Sequence, residues 1–292
     1  MENRKAWTGA ARGRALFRLS GVLALVLLLV PLRATLYPDM TIKIVTMNCG
    51  DGNSETSAYE AVREILRGQG RPDIVFLQEP RMTAGEMRRF YGYGNAVVGA
   101  SGEPAYWSPA VLTDYPVRKV WGVPFDGTFE GRDVATCALL EIEGEPCLAC
   151  SVHLEHVAAF QRGADQVVET DFVRLFRLIW GELFRETHRT ASIRRILALI
   201  RESGASSVIL GGDFNTIGPS RTIRAVREEY EDTLGYGLEA LGGTFRKIDF
   251  PIKPRIDFIF HSRDWRCRES SILGASPGDH YPVRAVLYRT GP

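Results

Sequence analysis

The eight residues Val208-Ile209-Leu210-Gly211-Gly212-Asp213-Phe214-Asn215 restrict the fold of this chain more than any other stretch. A short apolar, partly β-branched run reads as a buried strand. It stops at two glycines, which allow a sharp turn and a close backbone approach. A carboxylate and a carboxamide follow, two residues apart. A strand of this kind buries itself in a sheet and leaves Asp213 and Asn215 at the rim. Alone, the pattern is equally well explained as a turn, because Asp-x-Asn often follows strands for turn reasons.

Five other strand ends in the chain look the same. Thr41–Met47 reads as a strand that ends in Asn48, and Asp73–Leu77 as one that ends in Gln78-Glu79. Val134–Glu143 and Pro146–Leu154 form a hairpin around Glu143-Gly144-Glu145, and its second strand carries His153 near its end. Arg255–Phe260 is a strand with Asp257 inside it, and Asp279-His280 leads into a closing strand Val283–Tyr288. Each of these polar residues is of a type that binds a hard cation or moves a proton. A purely structural strand end favours Gly, Ser, Pro or Lys instead.

Helices fall between the strands. Ala58, Val62, Ile65 and Leu66 share one face of a helix over Ser54–Gly68, and Ile193, Ile196, Leu197 and Ile200 one face of a helix over Ser192–Glu202. A short helix covers Ala84–Phe90, another covers 220–231, and the Gly-, Tyr- and Trp-rich stretch from Tyr91 to Pro109 reads as loop. Strands alternate with helices in places and run as hairpins elsewhere, which predicts a layered α/β sandwich in one domain over residues 40–290.

Charge narrows the function. The formal net charge is +1, but residues 1–36 hold six basic side chains and one acid, leaving 30 basic and 34 acidic ones, a net of −4, on the rest. The folded part is therefore not a generally basic nucleic-acid binder, and any polyanion must be met by a local site. Five cysteines in 292 residues do not make a disulfide scaffold. Cys147-x-x-Cys150 has no second pair to complete a zinc site and reads as two ordinary thiols, with one disulfide possible outside the cytoplasm.

Leu19–Leu32 is uncharged, dense in Leu and Val, and preceded by basic residues, the layout of a signal peptide or signal anchor over residues 1–36. The core is short for a span of roughly 20 residues, but Arg18 and Arg33 can snorkel. Leu32-Arg33-Ala34 is a poor cleavage site, which favours an uncleaved anchor over secretion after cleavage. The basic flank then places everything after residue 36 outside the cytoplasm.

Together, Met47-Asn48, Leu77-Gln78-Glu79, Val152-His153-Leu154, Gly211–Asn215, Arg255–Phe260 and Asp279-His280 resemble the endonuclease/exonuclease/phosphatase superfamily in order and spacing. Thr244-Phe245 also fits that pattern. The superfamily includes DNase I-like nucleases, abasic-site endonucleases, neutral sphingomyelinases and inositol-polyphosphate phosphatases. The resemblance implies a four-layered α/β sandwich, with two mixed sheets face to face, helices outside, and a site at one edge. It also implies hydrolysis of a phosphate ester by a metal- and His-activated water, with Mg²⁺ the expected ion and Mn²⁺ or Ca²⁺ as alternatives.

Carried onto this sequence, the resemblance makes Glu79 a metal ligand, with Asn48 and Asp279 as further ligands. His280 is the general base, Asp257 orients it, and Asp213 positions the water. Asn215 donates to a phosphoryl oxygen, His153 is the second histidine at the transition state, and Arg132 contacts phosphate. The expected substrate is nucleic acid or phospholipid, with membrane contact through the N-terminus and no protein partner indicated; an inactive binding module of the same fold is the alternative of a different class. Two positions depart from the family pattern. Gly278 stands where Ser often precedes Asp-His, and Gly50 stands where some abasic-site enzymes have Asp. His156 is not read as a partner of His153, because in a continuing strand an i,i+3 spacing points side chains to opposite faces.

Ala164–Arg185 places Val168, Phe172, Leu175, Phe176, Ile179 and Leu183 on one helical face, with Trp180 and Phe184 widening it and arginines interspersed. It reads as a helix packed on the sandwich or, alternatively, as one lying on lipid.

Overall fold

The parity of the buried strands decides this architecture. The computed structural model describes residues 40–50, 55–99, 108–125, 133–156, 180–235, 242–246 and 253–289. The expected signal or anchor over residues 1–36, Arg132 and most of the 164–185 stretch lie outside the described residues. No helix among the described residues is long and apolar enough to cross a membrane.

Among the described residues, twelve strands form two six-stranded sheets. In chain order they are β1 (Met40–Asn48), β2 (Ile74–Gln78), β3 (Asn95–Val98), β4 (Ala110–Thr113), β5 (Val117–Pro124), β6 (Asp133–Ile142), β7 (Glu145–His153), β8 (Val208–Asp213), β9 (Glu231–Asp232), β10 (Asp257–His261), β11 (Arg266–Ile272) and β12 (Val283–Arg289). The first sheet has the order β11-β12-β1-β2-β4-β3 and the second β5-β6-β7-β8-β10-β9. Both are mixed: β1–β2 and β7–β8 are parallel, whereas β2–β4, β6–β7 and β8–β10 are antiparallel.

Side chains alternate between faces along a strand. On β1 and β2, Val45, Met47, Val75 and Leu77 pack with Val62, Ile65, Leu66, Met87 and Tyr91. Those partners belong to α1 (Glu55–Gly68) and α2 (Ala84–Tyr91), which cover the outer face of the first sheet. On the second sheet, Leu148, Cys150, Val152, Val208, Leu210, Phe258 and Phe260 pack with Ile193, Ile196, Ile200, Ile223 and Val226. These come from α3 (His188–Ser203) and α4 (Arg221–Arg227). The opposite parity is left for the space between the sheets, so the order is helices, sheet, sheet, helices, the four-layered sandwich.

Local signals place the helices. Thr83 caps α2 with a capping box, its hydroxyl accepting from Glu86 N at 3.2 Å while Glu86 Oε2 accepts from Thr83 N at 2.8 Å. Thr187 caps α3, which therefore starts a turn earlier than its apolar stripe suggests, and it ends at Gly204 with φ 70°. Four strands differ from the sequence reading. β5 has no counterpart in it, and β9 begins where a helix over 220–231 is expected but α4 stops at Arg227. β3 lies in the stretch expected to be loop, and β11 is a half-exposed edge strand with little apolar alternation. The CxxC pair also resolves differently. Cys147 is buried and outside the disulfide, while Cys150 is bonded to Cys137 directly across the β6–β7 hairpin.

The sheets approach closely at Gly211. A Cβ there would stand 2.3 Å from Cδ2 of the Phe76 ring, which reaches across from β2. At Gly212 a Cβ would stand 1.9 Å from the Val152 carbonyl oxygen of the parallel neighbour β7. Gly211→Ala is therefore expected to destabilise the fold by about 1–3 kcal/mol through overpacking, read as a lower urea midpoint. Gly212→Ala meets backbone that cannot step aside and is expected to cost more.

Candidate active site

Strand register sets the site out. β1 and β2 end side by side, with Asn48 opposite Gln78. On the second sheet His153 pairs with Asp213, and Asp213 with Asp257, so three polar residues cross β7, β8 and β10 in one row. Asn48, His153, Asp213 and Asp257 all have the inward parity and are all buried. They therefore meet in the gap between the sheets, at one end of it.

Asp213 is the junction. Its Oδ2 accepts a hydrogen bond from Asn48 Nδ2 at 3.1 Å, which ties one sheet to the other. The same oxygen lies 3.7 Å from His280 Nε2 and 3.8 Å from His153 Nε2. Its Oδ1 accepts from the backbone N–H of Asn215 at 2.8 Å. Beneath it a second polar link joins the sheets: Gln78 Nε2 donates to Ser151 Oγ at 3.1 Å, and Ser151 Oγ donates to Leu77 O at 3.3 Å.

His280 enters from the segment before β12. Its Nδ1 lies 2.9 Å from Asp257 Oδ2, which turns Nε2 toward Asp213. Thr244 and Phe245 hold this arrangement. The Thr244 hydroxyl accepts from the backbone N–H groups of Ile256 and Asp257 at 3.0 and 3.1 Å, its carbonyl accepts from Tyr281 N at 2.7 Å, and the Phe245 ring packs edge-on against His280 at 5.1 Å.

Glu79 follows β2 with φ 52°, and Asn215 follows β8 with φ 49°. Left-handed backbone at non-glycine residues costs energy and is kept where the surroundings enforce it. Here it turns both side chains back toward the gap. The Asn215 amide Nδ2 donates to Leu154 O at 2.8 Å. Glu79 Oε2 converges with Asn48 Oδ1: a Cβ on Gly50 would stand 2.5 Å from the first and 3.1 Å from the second. Gly50 thus leaves open a cradle lined by two oxygen donors, the donor type that Mg²⁺ and Ca²⁺ take.

Asp279 is half-buried, and its carboxylate belongs to neither of the two convergent groups in the site, Glu79–His153–His156 and Asp213–Asp257–His280. Its backbone carbonyl accepts from Arg246 N at 2.8 Å.

Two residues at the site escaped the sequence reading. Arg81 Nη2 lies 3.8 Å from Glu79 Oε2. His156 Nε2 lies 3.8 Å from Glu79 Oε1, and its ring stands edge-on to His153 with centroids 5.6 Å apart. The expectation of opposite faces fails because β7 ends at His153, so strand parity no longer applies at 156.

The charges are strongly coupled. Burial pushes the Glu79 carboxyl up, but the imidazoles of His156 and His153 and the Arg81 guanidinium outweigh it and hold the group down at about 2. Burial raises Asp213 to about 6, helped by Asp257 and opposed by His280. Burial would lower His280, but Asp257, Asp213 and Asp279 raise it to about 10.

A bonded His–Asp pair, a second carboxylate beside the imidazole and an oxygen-lined cradle form a constellation suited to water activation at phosphorus. No curated protein matches the chain. Solved structures share its fold. An endonuclease/exonuclease/phosphatase family protein from Bacteroides thetaiotaomicron is 18% identical with TM-score 0.64, over 87% of this chain and 99% of that one. A mannosyl-6-phosphatase from the same species is 17% identical with TM-score 0.62, over 84% and 99%. D. rerio TDP2 complexed with single-strand DNA product is 16% identical with TM-score 0.62, over 85% and 98%. The family model described as Endonuclease/Exonuclease/phosphatase family, whose members are hydrolases acting on phosphate esters, matches residues 45–280. With its row of inward-facing polar strand ends between two six-stranded sheets, the chain belongs to the endonuclease/exonuclease/phosphatase family.

Proposed function

We propose that this chain is a divalent-metal-dependent phosphodiesterase of DNase-like nuclease type. The observation that carries the reading is the convergence on Asp213 Oδ2 of Asn48, His153 and the Asp257-bound His280. These are groups that place a water and manage its proton.

Glu79 Oε2 and Asn48 Oδ1 would hold the divalent cation in the cradle left by Gly50. When bound, the ion supplies charge neutralisation at a phosphoryl oxygen. Asp213 and His280 bracket the attacking water, and its proton passes to this pair as the oxygen bonds to phosphorus. Asp257 fixes the imidazole through Nδ1, so Nε2 faces the reaction. His153, on the other side of Asp213, faces the phosphoryl group and the leaving oxygen. Asn215 and the Arg81 guanidinium are the further donors for phosphate oxygens. Asp279 acts through its charge on His280.

A phospholipid substrate is the second reading, favoured by one observation. Trp180 and Phe184 are 48% and 55% exposed and pack on each other at 4.4 Å. The helical residues carrying them are tied to the site's own loops: Glu182 Oε2 accepts from Thr216 Oγ1 at 2.7 Å, and Glu182 is also paired with Arg189, which holds the Glu155 carbonyl at 2.9 Å. An aromatic pair so placed would rest at a lipid headgroup layer. We also assign the domain to a compartment outside the cytoplasm, tethered by the N-terminal segment. The Cys137–Cys150 disulfide supports this, since such bonds persist where thiols oxidise.

Bis-p-nitrophenyl phosphate, plasmid DNA and sphingomyelin or phosphoinositide vesicles, each with and without EDTA, test the reading. We expect hydrolysis of the first two, abolished by EDTA; vesicle cleavage without DNA cleavage moves the chain to the lipid reading, and EDTA-resistant turnover removes the metal. His280→Ala is expected to lower kcat by about 10²–10⁴-fold, and near-normal turnover would remove His280 from the pair that brackets the water. Asp257→Asn takes away a carboxylate that raises His280. In the metal-free protein its imidazole is then expected to titrate well below about 10, toward its ordinary value, as followed by histidine ring NMR.

A further inference from the structure

Glu79 faces two ways. Its Oε2 belongs to the oxygen-lined cradle with Asn48, while its Oε1 lies 3.7 Å from His153 Nε2 and 3.8 Å from His156 Nε2. The three ligand atoms on this second side lie within 4.8 Å of one another. One carboxylate and two imidazoles are not a donor set for Mg²⁺, which prefers oxygens and keeps its waters. They are the set used for Zn²⁺ and other first-row transition ions, with positions left open for water or substrate. A tetrahedral ion with bonds of roughly 2.0–2.1 Å sets its donors roughly 3.4 Å apart. The two nitrogen–carboxylate distances exceed that by a few tenths of an ångström; the half-exposed His156 can close the second, and a small turn of the Glu79 carboxylate toward the buried His153 closes the first.

The placing of His156 is built by the residues before it. Leu154 N still donates to Asp213 O at 3.0 Å, after which the chain leaves the sheet. The Leu154 carbonyl is then held by Asn215 Nδ2 at 2.8 Å and the Glu155 carbonyl by Arg189 Nη1 at 2.9 Å. The buried Glu155 side chain accepts from Ser192 Oγ at 2.5 Å. With residues 154 and 155 pinned by α3 and the loop after β8, His156 is turned back over Glu79. His153 is fully buried and His156 is 52% exposed, so the arrangement has a rigid floor and a side open to incoming ligand.

We propose that Glu79 Oε1, His153 and His156 form a second, nitrogen-rich metal site that takes a first-row transition ion such as Zn²⁺ in preference to Mg²⁺. Glu79 then bridges this position and the oxygen-lined one. The place of this ion in turnover rests on the phosphoesterase reading, but its binding does not.

The test uses the full chain stripped of metal and titrated with Zn²⁺ by calorimetry, with millimolar Mg²⁺ present to fill the oxygen-lined position. We expect one equivalent of Zn²⁺ to bind, and Co²⁺ to give a visible absorption band in its place. His156→Ala should weaken Zn²⁺ by more than about 100-fold, beyond the loss expected for an outer-shell partner, and should abolish the Co²⁺ band. His156→Gln, which keeps the bulk but loses the imidazole, should do the same. Unchanged thermal melting of the metal-free variants would show that the fold is intact. Equal Zn²⁺ affinity in wild type and His156→Ala, or displacement of all Zn²⁺ by Mg²⁺, overturns the proposal. Both readouts are taken without substrate. An inert protein with His156-dependent Zn²⁺ binding refutes the phosphoesterase reading alone, and an active one with His156-independent binding refutes this site alone.

Discussion

One hydrogen bond, from Asn48 Nδ2 to Asp213 Oδ2, joins the two sheets at the end where the polar side chains meet. Everything at the site is arranged around it. Both groups are buried, so leaving either without a partner would carry the desolvation cost of a buried polar group. The bond therefore holds the sheets in one register relative to each other. That register puts Glu79, which follows the strand beside Asn48, across from His153 and His280, which flank Asp213.

The close approach this requires is made by subtraction of side chains. Gly211 gives up its Cβ to the Phe76 ring, and Gly50 gives up its Cβ to the oxygens of Glu79 and Asn48. The first lets the sheets close on apolar packing, and the second keeps a polar hollow open at their edge. Apolar and polar contacts thus alternate along the same gap, with Gln78 and Ser151 marking the change from one to the other.

Much of this was legible in the sequence, for a physical reason. Strands buried on both faces have to be apolar, so a carboxylate or imidazole at the end of one stands out, and Asn48, Glu79, His153, Asp213, Asp257 and His280 all did. The four layers were implied by the family resemblance that those motifs carry. What was not legible lies where burial is partial or where pairing counts. β3, with only four residues, and β11, on an edge, need no apolar alternation. The Cys137–Cys150 bond follows from hairpin register: with Glu143 and Gly144 as a two-residue turn, Cys137 falls directly opposite Cys150. His156 was passed over because strand parity was carried three residues past His153, and nothing local marks where that strand ends.

The left-handed residues Glu79 and Asn215 bear on how such a scaffold can change. Glu79 is the first residue beyond its strand and Asn215 the second, and the unusual backbone of each aims one functional atom. Lengthening the chain before either residue would rotate that atom out of the gap, and Arg81, left-handed at φ 48°, carries the same constraint past Glu79. Diversification of substrate preference, by evolution or by grafting, is thereby channelled into segments that start beyond Arg81 and Asn215.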